Sequence, residues 1–473
     1  MGVRTGMGAG VAALLCSGTA LAQKYDGSGA PTFIPHTLQE AFASAYLTNP
    51  QLQAERATLR ATDENVPTAL AGWRPTITGQ TGLSYFQGTT EEGVGFPASN
   101  IATPGYSSGV TITQPVYQGG HTTALTHEAV NRVMAERANL IATEQTVFTN
   151  VVSAYVGVIQ SQQNLQIQTN NERVLVEQLK ATNDRFRVGE ITRTDVAQAE
   201  AALATARAQR QQAEGQLQTA EATYAQQVGM PPPPNLIPPQ PLALPVRNEQ
   251  EVMAAAVTNN PGVINALFTQ SAYKDAFDVA VSALMPKISA EAEYLHGVNQ
   301  SFKGYQQDIK AAILNFQIPI YQGGSEYAAV RQARQTEQSA RRQVDVQRRT
   351  ALQSAVSNWE NLIAYRASID SDRAAVRSNI IALDGVERQA IVGTSTTLEV
   401  LQQQQTLLSA QLALVQSLSN MITASYSVAA AIGRLTARDL KLNVPLYDET
   451  AYYKAVKDRL WGISDYAVNQ PGR

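Results

Sequence analysis

The sequence predicts a mixed, mainly α-helical fold built from two copies of one unit, each holding two β-strands and two long helices. Three observations predict it. The hexapeptide Pro-Val-Tyr-Gln-Gly-Gly at 115–120 returns as Pro-Ile-Tyr-Gln-Gly-Gly at 319–324. Each hexapeptide follows segments that alternate apolar and polar residues, the period of a strand. Each then opens onto a long stretch without proline, 120–187 and 324–392, with apolar residues at helical spacing.

The two copies stay in register. Asn49-Pro50 matches Asn260-Pro261, and Pro75 matches Pro286, both 211 positions on. From the hexapeptides onward the offset is 204: Val188-Gly189 with Val392-Gly393, Asp195-Val196 with Glu399-Val400, Val228-Gly229 with Ile432-Gly433. The change of seven predicts a loop seven residues longer in the first copy, between Pro75 and Pro115. Such insertions cost little. Between the copies, residues 230–245 hold eight prolines and read as a stiff extended connector. The expected organisation is a signal peptide at 1–22, a first repeat at 23–229, a connector at 230–247, a second repeat at 248–433 and a tail at 434–473.

The signal peptide rests on Arg4, a short apolar run at 6–15 and Ala20-Leu21-Ala22 as a cleavage site. The run is too short to span a membrane as a helix. Cys16, the single cysteine, lies ahead of the cleavage site, and Leu15 before it argues against lipidation. No other stretch approaches a spanning helix, so an exported chain of this kind either stays soluble or enters a membrane as a barrel.

Helical regions at 38–72 and 251–284 come first, interrupted at Asn49-Pro50 and Asn260-Pro261 and ended by Pro75 and Pro286. Strands follow. At 76–86, Ile77, Leu83 and Tyr85 oppose Thr78, Gln80 and Ser84. At 106–116, Val110, Ile112 and Val116 oppose Ser107, Thr111 and Thr113. At 287–294, Ile288, Ala290, Ala292 and Tyr294 oppose Ser289, Glu291 and Glu293. At 308–318 the pattern is less clean, with Leu314, Phe316 and Ile318 on one face. Such segments suit a membrane barrel or a half-buried soluble sheet equally.

The hexapeptide marks the join between strand and helix. Pro115 and Pro319 are expected to end the ladder by removing a donor. Tyr117 and Tyr321 suit a membrane–water boundary. Gly119, Gly120, Gly323 and Gly324 let the backbone turn without a side-chain clash. Long helices are expected at about 120–187 and 321–391, then return helices at about 194–228 and 396–432. Val188, Gly189, Val392 and Gly393 break the chain between them. The last helix carries a seven-residue repeat, Leu401, Leu408, Val415, Ile422 and Ala429, the spacing of coiled-coil packing. Leu398, Leu412 and Tyr426 form a second set, interrupted at Gln405 and Ser419.

Composition excludes other classes. The net charge is −3, with nothing to bind nucleic acid. Of the four histidines, His36, His121, His127 and His296, the two nearest in sequence, His121 and His127, are six apart and off one helix face, so no metal site is expected. No nucleotide-binding loop, catalytic constellation or cofactor motif is present, and no enzyme is expected.

These features together resemble the TolC-like outer-membrane efflux proteins. The resemblance covers nearly the whole mature chain. It rests on the duplication, the two hexapeptides and the turns Arg-Phe-Arg-Val-Gly-Glu-Ile-Thr-Arg-Thr-Asp-Val at 185–196 and Ala-Ile-Val-Gly-Thr-Ser-Thr-Thr-Leu-Glu-Val at 390–400. The tail after Gly433 is most similar to members serving type I protein secretion. The resemblance implies a homotrimer: a 12-stranded β-barrel in the outer-membrane lipid, four strands per chain, continued by a long periplasmic α-helical barrel. It implies a passive exit duct for proteins or small toxic compounds. The partners implied are a periplasmic adaptor (membrane fusion) protein, docking at the tips Val188, Gly189, Val392 and Gly393, and an inner-membrane transporter of ABC or RND type.

The family closes its periplasmic end with rings of acidic side chains. By resemblance, Glu399 holds the first ring position and Gln402 the second, where an amide replaces the usual carboxylate. Asp195 matches an Asp that the best-known members bond to an Arg and a Tyr. Here Ser395 and Ala390 hold those two positions, and Arg193 or Arg388 are the available substitutes. On the residues alone, Asp195 equally well caps its helix. Two competing readings stand beside the duct. A trimeric coiled-coil surface protein without a pore would not need paired strands in both copies. A general porin would not need so much helix.

Overall fold

The computed structural model describes residues 33–90, 99–300 and 303–463. The signal-peptide reading at 1–22 lies outside them. The first copy contains α1 (Leu38–Thr48), α2 (Pro50–Asp63), α3 (Asn65–Leu70) with a 3-10 turn at Ala71–Trp73, β1 (Thr76–Thr90), β2 (Ser99–Tyr117), α4 (His121–Arg187) and α5 (Arg193–Val228). The second contains α6 (Glu249–Asn259), α7 (Pro261–Ser282), β3 (Lys287–Val298), β4 (Gln306–Gln317), α8 (Ser325–Ile391) and α9 (Thr397–Ala431), and α10 (Ala451–Val456) lies in the tail. No helix among the described residues is long and apolar enough to cross a membrane.

The duplicated Asn-Pro does two jobs in each copy. Pro50 and Pro261 take the first helical position, where a missing N–H costs nothing. Asn49 caps α2 through Gln51 N–H at 3.0 Å, and Asn260 caps α7 through Gly262 N–H at 2.9 Å. The same amides donate to the far ends of the return helices, Asn49 to Gln227 O at 3.2 Å and Asn260 to Ala431 O at 3.1 Å. One side chain thus ties the start of each copy to its end.

The strands form one antiparallel sheet in the order β1-β2-β3-β4. Three expectations need correction. The first hairpin's extra length is not a longer loop: β1 and β2 have 15 and 19 residues, against 12 each for β3 and β4. Pro115 does not end its ladder. β2 continues to Tyr117 through a register shift, with Pro115 opposite Ser289 on β3. β1 begins only opposite Thr113, so at Pro115 the strand has a neighbour on one side alone. A missing donor is tolerated at such a position. Pro319 does follow its strand, which ends at Gln317. The second long helix begins at Ser325 rather than near 321, because Gly323 and Gly324 hold positive φ.

The main core gathers where both copies meet below the sheet. Phe148 of α4 packs against Phe42 of α1 with ring centroids 4.9 Å apart, and Tyr426 of α9 lies 5.9 Å from Phe42. The proline-rich connector is bonded into this core. The Tyr155 hydroxyl reaches both His36 O at 2.7 Å and Ile237 O at 2.8 Å, and Leu242 N–H donates to Ser425 Oγ at 3.0 Å. The tail wraps the same region, with the Arg56 guanidinium over the Tyr46 ring at 4.5 Å and the Tyr447 ring at 5.2 Å.

Candidate functional site: strand faces, junctions and helix tips

Register fixes which side chains share a face of the sheet. One face carries Ile77 beside Ile112, Leu83 beside Tyr106, Ala292 beside Ile112 and Ile288 beside Phe316. Most of its apolar side chains are exposed, Leu83 at 83%, and Ile288 is half-buried. A soluble protein rarely leaves such a contiguous patch uncovered. Toward the hairpin turns this face becomes polar: the His296 ring lies 2.9 Å from Asp308 Oδ1, and the Tyr294 hydroxyl donates to the same oxygen at 3.2 Å. The opposite face carries Thr76, Thr78, Gln80, Thr111, Thr113, Glu291 and Glu293, with Asn315 Nδ2 donating to Glu291 at 3.2 Å. β4 is mixed, since Ile309 and Ile313 share this polar face.

At the junctions the two hexapeptides do the same work in different surroundings. All four glycines have φ between +63° and +85°. Gly120 and Gly324 are the residues before the first turn of α4 and α8. A side chain at Gly119 would strike Met285 at 2.4 Å, whereas at Gly323 nothing lies within 4 Å. Tyr117, the last residue of β2, and Tyr321, in the segment between β4 and α8, are both exposed.

The far ends of the long helices match in detail. After α4, Gly189 takes φ +80° and Glu190 N–H bonds back to Arg185 O at 3.0 Å. After α8, Gly393 takes the same φ and Thr394 N–H bonds back to Gln389 O at 2.9 Å. These are left-handed helix ends that satisfy the terminal carbonyls. They leave Val188, Ile391 and Val392 exposed at the tips.

Both acidic candidates cap the return helices. Asp195 Oδ2 accepts Thr192 N–H at 2.9 Å and the Thr192 hydroxyl at 2.7 Å. Glu399 Oε2 accepts Thr396 N–H at 3.0 Å and a short bond from the Ser395 hydroxyl. Those donors hold both carboxyls below their ordinary range, chiefly the Thr192 hydroxyl for Asp195 and the Ser395 hydroxyl for Glu399. The signal for this was in the sequence as Thr-x-x-Asp and Thr-x-x-Glu. Ser395 therefore bonds Glu399, and Arg388 pairs with Asp384 at 3.0 Å, one turn back on its own helix. Gln402 is exposed in a groove of about 340 Å³ that it shares with Gln198 of α5 and Leu401. Among the described residues no group of three or more His, Cys, Asp or Glu could hold a metal.

Comparison with known proteins agrees with this architecture. The family described as "Outer membrane efflux protein" matches residues 42–230 and 252–434. Outer membrane efflux protein BepC of Brucella suis is 36% identical over 454 residues, covering 96% of each chain. Outer membrane protein TolC of Escherichia coli is 25% identical over 423 residues, 85% of this chain and 83% of that one. The CmeC outer membrane channel of Campylobacter jejuni superimposes with a TM-score of 0.75 at 15% identity, over 89% of both chains. The duplicated strand–helix unit, the two-faced sheet and these matches lead to one conclusion: the chain belongs to the outer membrane efflux protein family, with its sheet in the outer membrane and its helices in the periplasm.

Proposed function

We propose that three copies join edge to edge into a 12-stranded barrel, and that the trimer is the passive exit duct of a tripartite export machine. One observation carries this: among the described residues β1 and β4 each leave their outer edge without a strand partner, while the sheet exposes an apolar face. Four strands cannot close a barrel, and an open edge in lipid leaves backbone groups unsatisfied. Pairing β4 of one copy with β1 of the next removes every edge. The apolar face then meets lipid, and the face with Glu291 and Glu293 lines a wet lumen.

Below the membrane the paired long helices continue the conduit. A periplasmic adaptor docks at Val188, Gly189, Val392 and Gly393, and an inner-membrane transporter supplies the energy and selects the cargo. Likeness of the tail favours protein cargo of type I secretion over small toxic compounds. The narrow end carries one carboxylate ring, Glu399, with Gln402 one turn further on. Because its donors keep Glu399 ionised into the acid range, the ring attracts cations.

Planar-bilayer conductance of the purified trimer tests this. The expected result is small steps, blocked by divalent cations from one side only, with the block relieved in Glu399→Ala. Block unchanged in the variant removes the Glu399 ring. No conductance from folded trimer overturns the duct and favours a pore-free coiled-coil surface protein.

A further inference from the structure

After α10 the chain closes a tight turn at 457–463. Arg459 N–H bonds back to Val456 O at 3.0 Å, and Arg459 Nε donates to Trp461 O at 2.9 Å. Gly462 takes φ +100°, and a Cβ there would meet the Arg459 guanidinium at 2.6 Å. Glycine is what lets the turn close. The turn presents a row of large apolar side chains to the outside: Leu460 is 74% exposed, Trp461 89% and Ile463 fully.

Its position is fixed from the helices and from the sheet. Tyr453 of α10 packs on the cluster of Val66, Ala69, Ala129 and Val133, and the Tyr452 hydroxyl donates to Glu64 at 2.8 Å. Arg74 Nη1 donates to Arg459 O at 2.9 Å. Arg74 stands just ahead of β1, so the turn lies level with the periplasmic end of the sheet. The segment that holds it is gripped from the apolar face. Gln114 shares that face with Val110 and Ile112, and it donates to Trp73 O at 3.0 Å. Trp73 is exposed there too. Cations outnumber acids at the turn: residues 451–463 hold Lys454, Lys457 and Arg459 against one carboxylate, Asp458, which lies 3.9 Å from Lys457.

We propose that Leu460, Trp461 and Ile463 are an interfacial anchor, dipping beside the sheet into the phospholipid leaflet that faces the periplasm, with Lys454 and Lys457 at its headgroup phosphates. This placement needs the sheet in the outer membrane and does not need the pore. Leu460 and Ile463 leave water for acyl chain, and the Trp461 ring suits the boundary with its N–H kept wet. Anionic headgroups attract the lysines, whose stems reach along the apolar surface. The apolar face of the sheet meets the same lipid close by, so the anchor extends an existing contact. It ties the tail to the bilayer as well as to the helices.

Trp461 reports its own surroundings. The full chain has three tryptophans, Trp73, Trp359 and Trp461. A chain with Trp73→Phe and Trp359→Phe is assembled into vesicles of phosphatidylethanolamine and phosphatidylglycerol whose acyl chains carry bromine near the headgroup or near the methyl end. At an interfacial depth of about 5–10 Å, bromine near the headgroup is expected to cut Trp461 emission about twofold, and bromine near the methyl end less. Red-shifted emission that neither lipid quenches puts the ring in water and overturns the anchor. Blue-shifted emission that neither quenches also overturns it, and gives the turn to a neighbouring copy of the chain. Lys454→Glu with Lys457→Glu is expected to weaken the quenching; quenching unmoved by that pair overturns the headgroup contact. Should the Phe variant fail to assemble, a nitroxide on Trp461→Cys, with Cys16→Ser, takes its place. Stronger relaxation by oxygen than by a water-soluble nickel complex supports the anchor, and the reverse overturns it. Quenching in a trimer that conducts no current keeps the anchor and sinks the duct; a conducting trimer without quenching does the opposite.

Discussion

Glu144 on α4 accepts the backbone N–H of Ala437 at 2.5 Å, across 293 positions of sequence. The contact pins the chain where it leaves α9 onto the first copy, beside the Arg56 guanidinium. A buried acceptor with a charged neighbour is costly to remove. Glu144→Ala leaves the Ala437 N–H unpaired, and a loss of about 1–3 kcal/mol is expected. Glu144→Gln keeps an acceptor oxygen and loses less than about 1 kcal/mol. Denaturant melts of the detergent-solubilised protein, with limited proteolysis of the tail, check this. Equal loss in both variants would show that the charge, and not the acceptor, holds the tail.

Two buried carboxyls give stability an unusual pH dependence. Burial pushes Asp63 and Glu144 up to about 7. In the unfolded chain both titrate near ~4. Between those values the folded protein holds protons that the unfolded chain has released. Stability from these groups is therefore full below about 4, declines as pH rises toward 7, and stays low above it. Asp195 and Glu399 are shifted the other way, and their contribution is lost only below the ordinary carboxylate range. The denaturation midpoint is expected to be higher at pH 5 than at pH 8, with the difference narrowed in Asp63→Asn. A midpoint that rises from pH 5 to pH 8 contradicts the assignment.

Features repeated in both copies were legible because their causes are local. Asn49-Pro50 and Asn260-Pro261 announce helix starts, and Gly189 and Gly393 announce helix ends, from spacing alone. Alternation separated Ile77, Leu83 and Tyr85 from Thr78 and Gln80 before any register was known. Pro115 misled because its effect depends on how far β1 extends, which is a property of the neighbouring strand. The contacts of Glu144 with Ala437 and of Gln160 with Gln416 join residues hundreds of positions apart. Neither residue is distinguished by its neighbours in sequence, so only packing reveals them. The Thr192 and Thr396 caps were readable from the four-residue box, and they explain why Asp195 and Glu399 sit at equivalent places with different side chains.

The hexapeptides look interchangeable in sequence, yet the surroundings of their next-to-last residue predict different tolerance. Gly119 and Gly323 occupy equivalent positions, with φ of +63° and +73°. A left-handed conformation costs an alanine about 1–2 kcal/mol at either site. At Gly119 the new Cβ also meets Met285 at 2.4 Å and Ser282 O at 3.0 Å, the last turn of α7 and the chain just beyond it. Overpacking there adds about 1–3 kcal/mol, since the backbone oxygen has little room to yield. Gly323→Ala meets nothing within 4 Å in the chain and pays only the backbone strain. The expected order of denaturant midpoints is wild type, then Gly323→Ala, then Gly119→Ala. Trimer yield in membranes should follow the same order. A Gly323→Ala chain that folds as a monomer but fails to assemble would instead locate a neighbouring copy against that junction, with Tyr321 beside it as the next residue to substitute.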